Sequence, residues 1–121
     1  MYNKVFLIGR LVRDPEMRVT LSGVTVTRFT IAVDRIRRKD GQDGVTDFLR
    51  IVTWRRLAEI AGQYLKKGKL VGIEGRLQID TFEKDGEKRT SADIVADNVQ
   101  MLDRAEQSQA NSKEEVLDGR R

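Results

Sequence analysis

A single stretch of the 121 residues carries a helical period. Leu57, Ile60, Ala61, Tyr64 and Leu65 recur at i, i+3, i+4, i+7 and i+8, which draws one apolar stripe along a helix over residues 55–66. Lys66 and Lys67 suit the negative end of its dipole, and Gly68 suits the stop. The apolar stretches on either side alternate with period two. A chain with one helix set among strands has few ways to bury a core, and the place of the helix in the order decides among them.

Three strands are expected before the helix. Residues 3–13, NKVFLIGRLVR, alternate Val5, Leu7 and Leu11 with Phe6, Ile8 and Val12, so both faces are apolar and both need cover. Gly9 marks a bend or bulge inside this strand, and Asp14-Pro15 ends it. Thr20–Gly23 is a turn signal. Residues 24–34 form the second strand, with Phe29, Ile31 and Val33 on one face and Arg28, Thr30 and Ala32 on the other. A charged connection over 35–46 leads to the third strand, 46–54. There Phe48, Arg50, Val52 and Trp54 share one face, and Leu49 and Ile51 the other.

Two strands are expected after the helix. In the fourth, 69–83, Val71, Ile73, Leu77 and Ile79 lie opposite Arg76, Gln78, Asp80 and Phe82. Lys84-Asp85-Gly86-Glu87 is a hairpin turn, and the fifth strand follows over 88–103, irregular near Asp97-Asn98. Residues 104–121 are polar, with only Val116 and Leu117 of any apolar size, and read as a disordered tail. The order is strand, strand, strand, helix, strand, strand. This is an all-β class with one helix: the OB-fold, a five-stranded Greek-key barrel with a helix between strands 3 and 4. Residues 1–103 form its single domain, and 104–121 the tail.

Composition removes several functions. There is no cysteine and no histidine, so thiolate zinc sites, disulfides and histidine general bases are all excluded. No apolar run approaches the roughly 18 residues of a membrane span. The N-terminus MYNKVFLIG has the layout of neither a secretory signal nor an organelle presequence, and a cytoplasmic setting is expected. Asp40, Asp43 and Asp47 crowd one loop, but their spacing is not that of a calcium loop and no glutamate closes it. GIEG at 72–75 lies in strand pattern rather than before a helix, so it is no phosphate loop. Neither a metal nor a cofactor is expected, and no enzymatic activity. The net charge of +4 permits a polyanionic partner. Four basic and four acidic residues cancel from Arg104 onward, so the excess lies in residues 1–103.

The third strand points to that partner. Its Phe48, Arg50 and Trp54 would place two aromatic rings and a guanidinium on one face. Were that face the core, Arg50 would be buried unpaired at high cost, so Leu49 and Ile51 are the better core candidates. Bases need flat apolar platforms and phosphates need cations beside them, and an exposed sheet of interleaved aromatic and basic residues supplies both. Phe82 and Arg76 on the fourth strand extend the set, and the run Arg35, Arg37, Arg38, Lys39 reads as a basic arm beside it.

The stretches NKVFLIGRLVRDPE (3–16), FTIAVDR (29–35) and TDFLRIVTWRRLAEIAGQYLKKGKLVGIEGRLQ (46–78) closely resemble the bacterial single-stranded DNA-binding proteins, over about residues 1–103. The most specific part is an aromatic–x–Arg–x–Val–x–aromatic strand followed by a LAE…YLxKG helix. The resemblance implies an OB-fold that assembles as a homotetramer, a dimer of dimers. It also implies that the assembly coats single-stranded DNA without sequence preference during replication, recombination and repair. It implies stacking by Trp54, Phe48 and Phe82 and basic contacts from Arg50, Arg56, Lys66 and Lys67. Arg76, Arg35, Arg37, Arg38 and Lys4 complete the expected phosphate contacts. A primosome-type OB adaptor and an RNA-binding OB module are the alternatives; the intact aromatic set speaks against the first and the long helix against the second. Three departures stand out. Ile36 and Arg37 occupy a region where the family often has a further aromatic. Gln78 and Asp80 are less basic than the family's fourth strand. Glu114–Asp118 followed by Gly119-Arg120-Arg121 replaces the acidic tip ending in Pro-Phe, so recruitment of replication and repair proteins through the tail is not expected. The last point fits a paralogue from a plasmid, phage or competence system, or a shortened chain.

Overall fold

The period-two stretches fold into six strands around one helix: β1 Val5–Leu11, β2 Glu16–Val19, β3 Thr25–Asp34, β4 Thr46–Trp54, α1 Arg55–Tyr64, β5 Leu70–Lys84 and β6 Glu87–Met101. This computed structural model describes residues 1–36 and 44–103. Arg37, Arg38 and Lys39, the aspartates Asp40 and Asp43, and the expected tail at 104–121 lie outside the described residues.

The strands run in the order β1-β5-β6-β4-β3-β2, and a second pairing of β1 with β3 closes the barrel. Strand β1 divides its length to do this. Val5 to Arg10 pair with Gly75 to Leu70, while Arg10 and Leu11 pair with Ala32 and Ile31. Gly9 lies where the two neighbours converge: a Cβ there would sit 2.5 Å from the Ala32 carbonyl oxygen. The bend read at Gly9 is therefore a close approach of two backbones.

Strand β2 is an addition to the expected five. All four of its side chains are exposed, so it has no apolar period to read. It forms because the Thr20–Gly23 turn folds it back on β3, from Val19↔Thr25 to Glu16↔Arg28. The Thr20 hydroxyl accepts the Val24 N–H at 3.1 Å, and Gly23 takes a left-handed φ of 87°. With β2 present the helix lies between β4 and β5. Among the five strands that make the barrel it still follows the third.

Leu11, Phe29, Ile31, Ile51, Val71, Ile73 and Ile94 fill the barrel, and Ala61 and Leu65 close one end. The helix meets β3 through its small residues. Ala58 is fully buried, and its carbonyl accepts the Thr27 hydroxyl at 2.7 Å; Thr53, also buried, donates to the Thr27 carbonyl at 2.9 Å. The buried stripe is thus turned toward Ala58, and Tyr64, placed in it by spacing alone, is exposed. Lys66 and Lys67 do not sit in the last helical turn. The helix stops at Tyr64 because Leu65 turns into the core in extended conformation. Gly68, at φ 91°, serves the tight turn after it, where its N–H reaches the Leu11 carbonyl at 2.8 Å.

The irregularity near Asp97-Asn98 is a bulge. Pairing passes from Glu74↔Asn98 to Gly75↔Ala96, which leaves Asp97 over. Past it β1 no longer accompanies β5, and beyond Asp93 β6 parts from β4 as well, so the two strands outrun the barrel as a ribbon; Leu77 and Ile79 are exposed although their alternation matches Val71 and Ile73. Asp85 and Gly86, both at positive φ, close its tip as a two-residue turn of the type that matches strand twist. At its root the Asn3 side chain brackets Leu77, accepting its N–H at 3.0 Å and donating to its carbonyl at 2.7 Å.

Two outcomes follow for stability. Gly9→Ala forces a methyl against Ala32 and is expected to cost about 1–3 kcal/mol in urea unfolding. The second concerns Asp103, which accepts the Leu70 N–H at 2.8 Å and faces Arg10 at 3.3 Å. The Leu70 N–H first, and then the Arg10 charge, hold its carboxyl below the usual carboxylate range. A depressed native pKa stabilises the fold above the unfolded value and loses that effect as pH falls through the native one. The gap in melting temperature between wild type and Asp103→Asn should be widest at neutral pH and close on acidification.

Candidate nucleic-acid interface

Strand β4 sorts its side chains as the alternation requires. Ile51 and Thr53 face inward and are fully buried, and Leu49 packs against the core. Phe48 is 65% exposed, and Trp54 is 41% exposed at the end of the strand. Arg50 lies between them, also exposed. The pairing registers carry this face across the sheet. One row reads Arg28, Val52, Val95 and Arg76 across β3, β4, β6 and β5; the next reads Thr30, Arg50, Asp93 and Gln78. Phe82 lies farther along β5 on the side of Gln78, and is 44% exposed. The three expected aromatics therefore share one outer surface.

A groove of about 780 Å³ crosses this surface. Arg28, Thr30, Arg50 and Asp93 line it from the strands, and Arg13, Asp14 and Glu16 from the segment after β1. Spacing alone did not single out Arg28 or Arg13. Arg28 was visible as a neighbour of Thr30 in the alternation, but only the β3–β4 register sets it opposite Val52. Arg13 lies outside any strand and carries no periodic signal.

The expected cations fall into two groups. Four hold carboxylates: Arg50 with Asp93 at 2.9 Å, Arg76 with Asp97 at 3.2 Å, Arg35 with Asp47 at 3.0 Å, and Lys4 with Glu74 at 2.7 Å. Arg35 binds Asp47 through both Nε and Nη2, which pulls the Asp47 carboxyl below its usual range. The hydrogen bond to Glu74 raises the Lys4 pKa. Lys4 also stands apart from the rest. It belongs to the β1 strip, 6.0 Å from the Phe6 ring centre, with β5 and β6 between it and β4. The second group, Arg56, Lys66 and Lys67, is exposed and forms no ion pair among the described residues. The Lys67 backbone N–H bonds Asp14 at 2.9 Å, which brings the lysine pair up to the wall of the groove.

Strand β4 enters α1 with no linker. Trp54 is extended at φ −126°, and Arg55 makes the turn in one residue with φ 61°. A left-handed arginine costs about 1–2 kcal/mol. The first turn has no side-chain cap and no acidic residue, so its N–H groups and the guanidiniums of Arg55 and Arg56 add up to a positive field beside the Trp54 ring. Rings, cations and a groove on one open surface can stack planar groups and hold anions between them.

A model of the single-strand binding protein family matches residues 2–102. The single-stranded DNA-binding protein of Thermotoga maritima is 52% identical over 120 residues, covering 97% of this chain and 85% of that one. Single-stranded DNA-binding protein 3 of Clostridium acetobutylicum is 48% identical over 103 residues, covering 84% and 71%. Among solved structures, a Plasmodium falciparum SSB complex with ssDNA superposes with a TM-score of 0.78 at 25% identity, over 85% of this chain and 96% of that one. A deletion mutant of the single-stranded DNA binding protein from Thermus aquaticus gives 0.73 at 36% identity, over 84% and 51%.

The field around Trp54 is open to measurement in the protein alone. Relative to free N-acetyltryptophanamide, its fluorescence, the only indole signal of the chain, should be quenched more by iodide and less by caesium at low ionic strength. The difference should shrink near 1 M salt, where screening acts within about 3 Å. An iodide-to-caesium ratio no higher than that of the free indole would contradict the electrostatics described.

Proposed function

The chain belongs to the single-strand binding protein family, and we propose that it coats single-stranded DNA along the outer face of β3, β4, β6 and β5. One observation carries the assignment of the surface. Phe48 and Trp54 are exposed, with Arg50 between them, on a strand whose inner side chains build the core. The rings are therefore anchored on the barrel wall with a large part of their surface open to solvent. Phe48, Trp54 and Phe82 stack bases, each stack contributing about 1–3 kcal/mol whatever the base, because every base has a π-face. Arg28, Arg50, Arg56, Arg76, Lys66 and Lys67 neutralise phosphates. Stacking accepts any base, so the coat has no sequence preference. The protein acts by binding alone, protecting exposed strands during replication, recombination and repair. Its setting is the bacterial cytoplasm, on the nucleoid or on plasmid or phage DNA. Residues 1–103 are the binding domain, with 104–121 outside it.

The assembly is a homotetramer in this reading. The inner side chains of β1, Val5 and Leu7, pack against the core, but Phe6 and Ile8 are 71% and 60% exposed. They border a second groove of about 420 Å³ with Gly72, Glu74, Asn98 and Gln100. Two large apolar side chains beside amides on a flat strip suit a self-complementary contact between copies. Phe6→Glu with Ile8→Glu should leave a folded species smaller than a tetramer in light scattering at micromolar concentration, while wild type scatters as a tetramer. A monomeric wild type would end the assembly reading.

Oligo-dT should quench Trp54 fluorescence. Trp54→Ala should weaken binding by about 1–3 kcal/mol while its melt stays close to wild type, because the ring lies outside the core. Log K should fall with log[salt] with a slope of about −0.7 per phosphate neutralised. A matched RNA oligomer that bound more tightly than DNA would favour the RNA module instead.

A further inference from the structure

Arg50 and Asp93 face each other in the parallel register of β4 and β6, and they touch at one point: Arg50 Nε donates to Asp93 Oδ1 at 2.9 Å. Arg35 behaves differently, since its Nε and Nη2 each bond one oxygen of Asp47 at 3.0 Å. A guanidinium offers two paired edges, one at Nε and one formed by its two terminal nitrogens. Arg35 has spent an edge on its carboxylate. Arg50 has given up a single N–H, and its terminal nitrogens have no protein partner among the described residues. The exposure of the pair is unequal in the same sense. The Asp93 side chain is 19% exposed and that of Arg50 is 58%, so the acid sits low in the sheet while the arginine reaches out. Both line the large groove, beside Arg28 and Arg13.

We propose that Asp93 is a positioning residue for the DNA backbone: by taking Nε it fixes the plane of the Arg50 guanidinium, so that both terminal nitrogens are presented to phosphate in the groove. The proposal rests on the reading of this groove as the DNA path. An arginine held in this way gives up less rotamer freedom when it binds. A carboxylate on a DNA-binding face would ordinarily repel the ligand. Here it touches only the nitrogen that a two-point phosphate contact does not use.

The test compares Asp93→Ala, Asp93→Ser and Asp93→Asn, alone and with Arg50→Ala, by oligo-dT titration of Trp54 fluorescence across a salt series, with melts to establish folding. Ala removes the acceptor for Nε and Ser draws its oxygen back on a shorter side chain, although both also remove a negative charge from the face. They are expected to bind roughly 3- to 10-fold more weakly than wild type. Their salt dependence should be shallower by about 0.7, the share of one phosphate. Asn keeps an acceptor oxygen and should restore most of the affinity. In the Arg50→Ala background the loss should disappear, and any remaining effect of Ala or Ser at 93 should be a gain in affinity from removing a carboxylate that no longer has its arginine. Tighter binding by Ala and Ser with an unchanged or steeper salt slope would overturn the proposal and make Asp93 a competitor of phosphate. An equal loss in the Arg50→Ala background would overturn it in favour of a general structural role. Wild-type protein that ignored oligo-dT would fail at the earlier step, removing the DNA path itself and the proposal with it.

Discussion

Two backbone pairs, Arg10 with Ala32 and Leu11 with Ile31, turn a sheet into a barrel. Without them β1 and the part of β3 beyond Arg28 would be open edges, and Ile31, Ile51 and Val71 would face no opposing wall. With them every barrel strand has a neighbour on each side. Strand β4, gripped by β3 and β6, then has no freedom to slip by a residue. A slip of one would send Phe48, Arg50 and Trp54 inward and Leu49 and Ile51 outward, exchanging core for surface at a single stroke. The outer face is thus held by the burial of the inner one.

That coupling explains what could be read from residues alone. Arg50 between Phe48 and Trp54 set the outward face of β4, because the alternative buries a charge. Asp85-Gly86 announced its turn through the backbone it requires, and the helix declared itself by period. Other features depend on partners distant in sequence. Strand β2 has no apolar rhythm and exists through its register with β3. Ala58 outranks Tyr64 in the helix interface because Thr27 comes close enough to bond its carbonyl. Leu77 and Ile79 keep perfect alternation, yet the barrel ends before they can use it. Asp93 reaches Arg50 only through a parallel pairing across 43 positions, which no local pattern reveals.

The charge on the outer face is a mosaic rather than a uniform field. Cations at Arg50, Arg76 and Arg35 each meet a carboxylate from a neighbouring strand or turn, while the cations around the start and end of α1 do not, among the described residues. Exposed pairs of this kind add little to folding. Their larger effect is on geometry, since a side chain tethered at one point samples fewer directions. A mild net charge of +4 is enough for such a surface, because position matters more than total.

The ribbon formed by β5 and β6 beyond the bulge gives the surface unequal mechanics. Its root is clamped by Asn3 and by the pairing of Asp93 with Arg50, and from there two strands continue with both faces in solvent. Two strands resist bending far less than a closed barrel does, so the ribbon is a cantilever. Phe48 and Trp54 ride on the fixed wall, whereas Phe82 rides near the tip of the beam, two residues before Lys84. On the proposed DNA path the surface is a vice with one jaw on a spring, suited to a polymer of variable curvature without the wall having to yield.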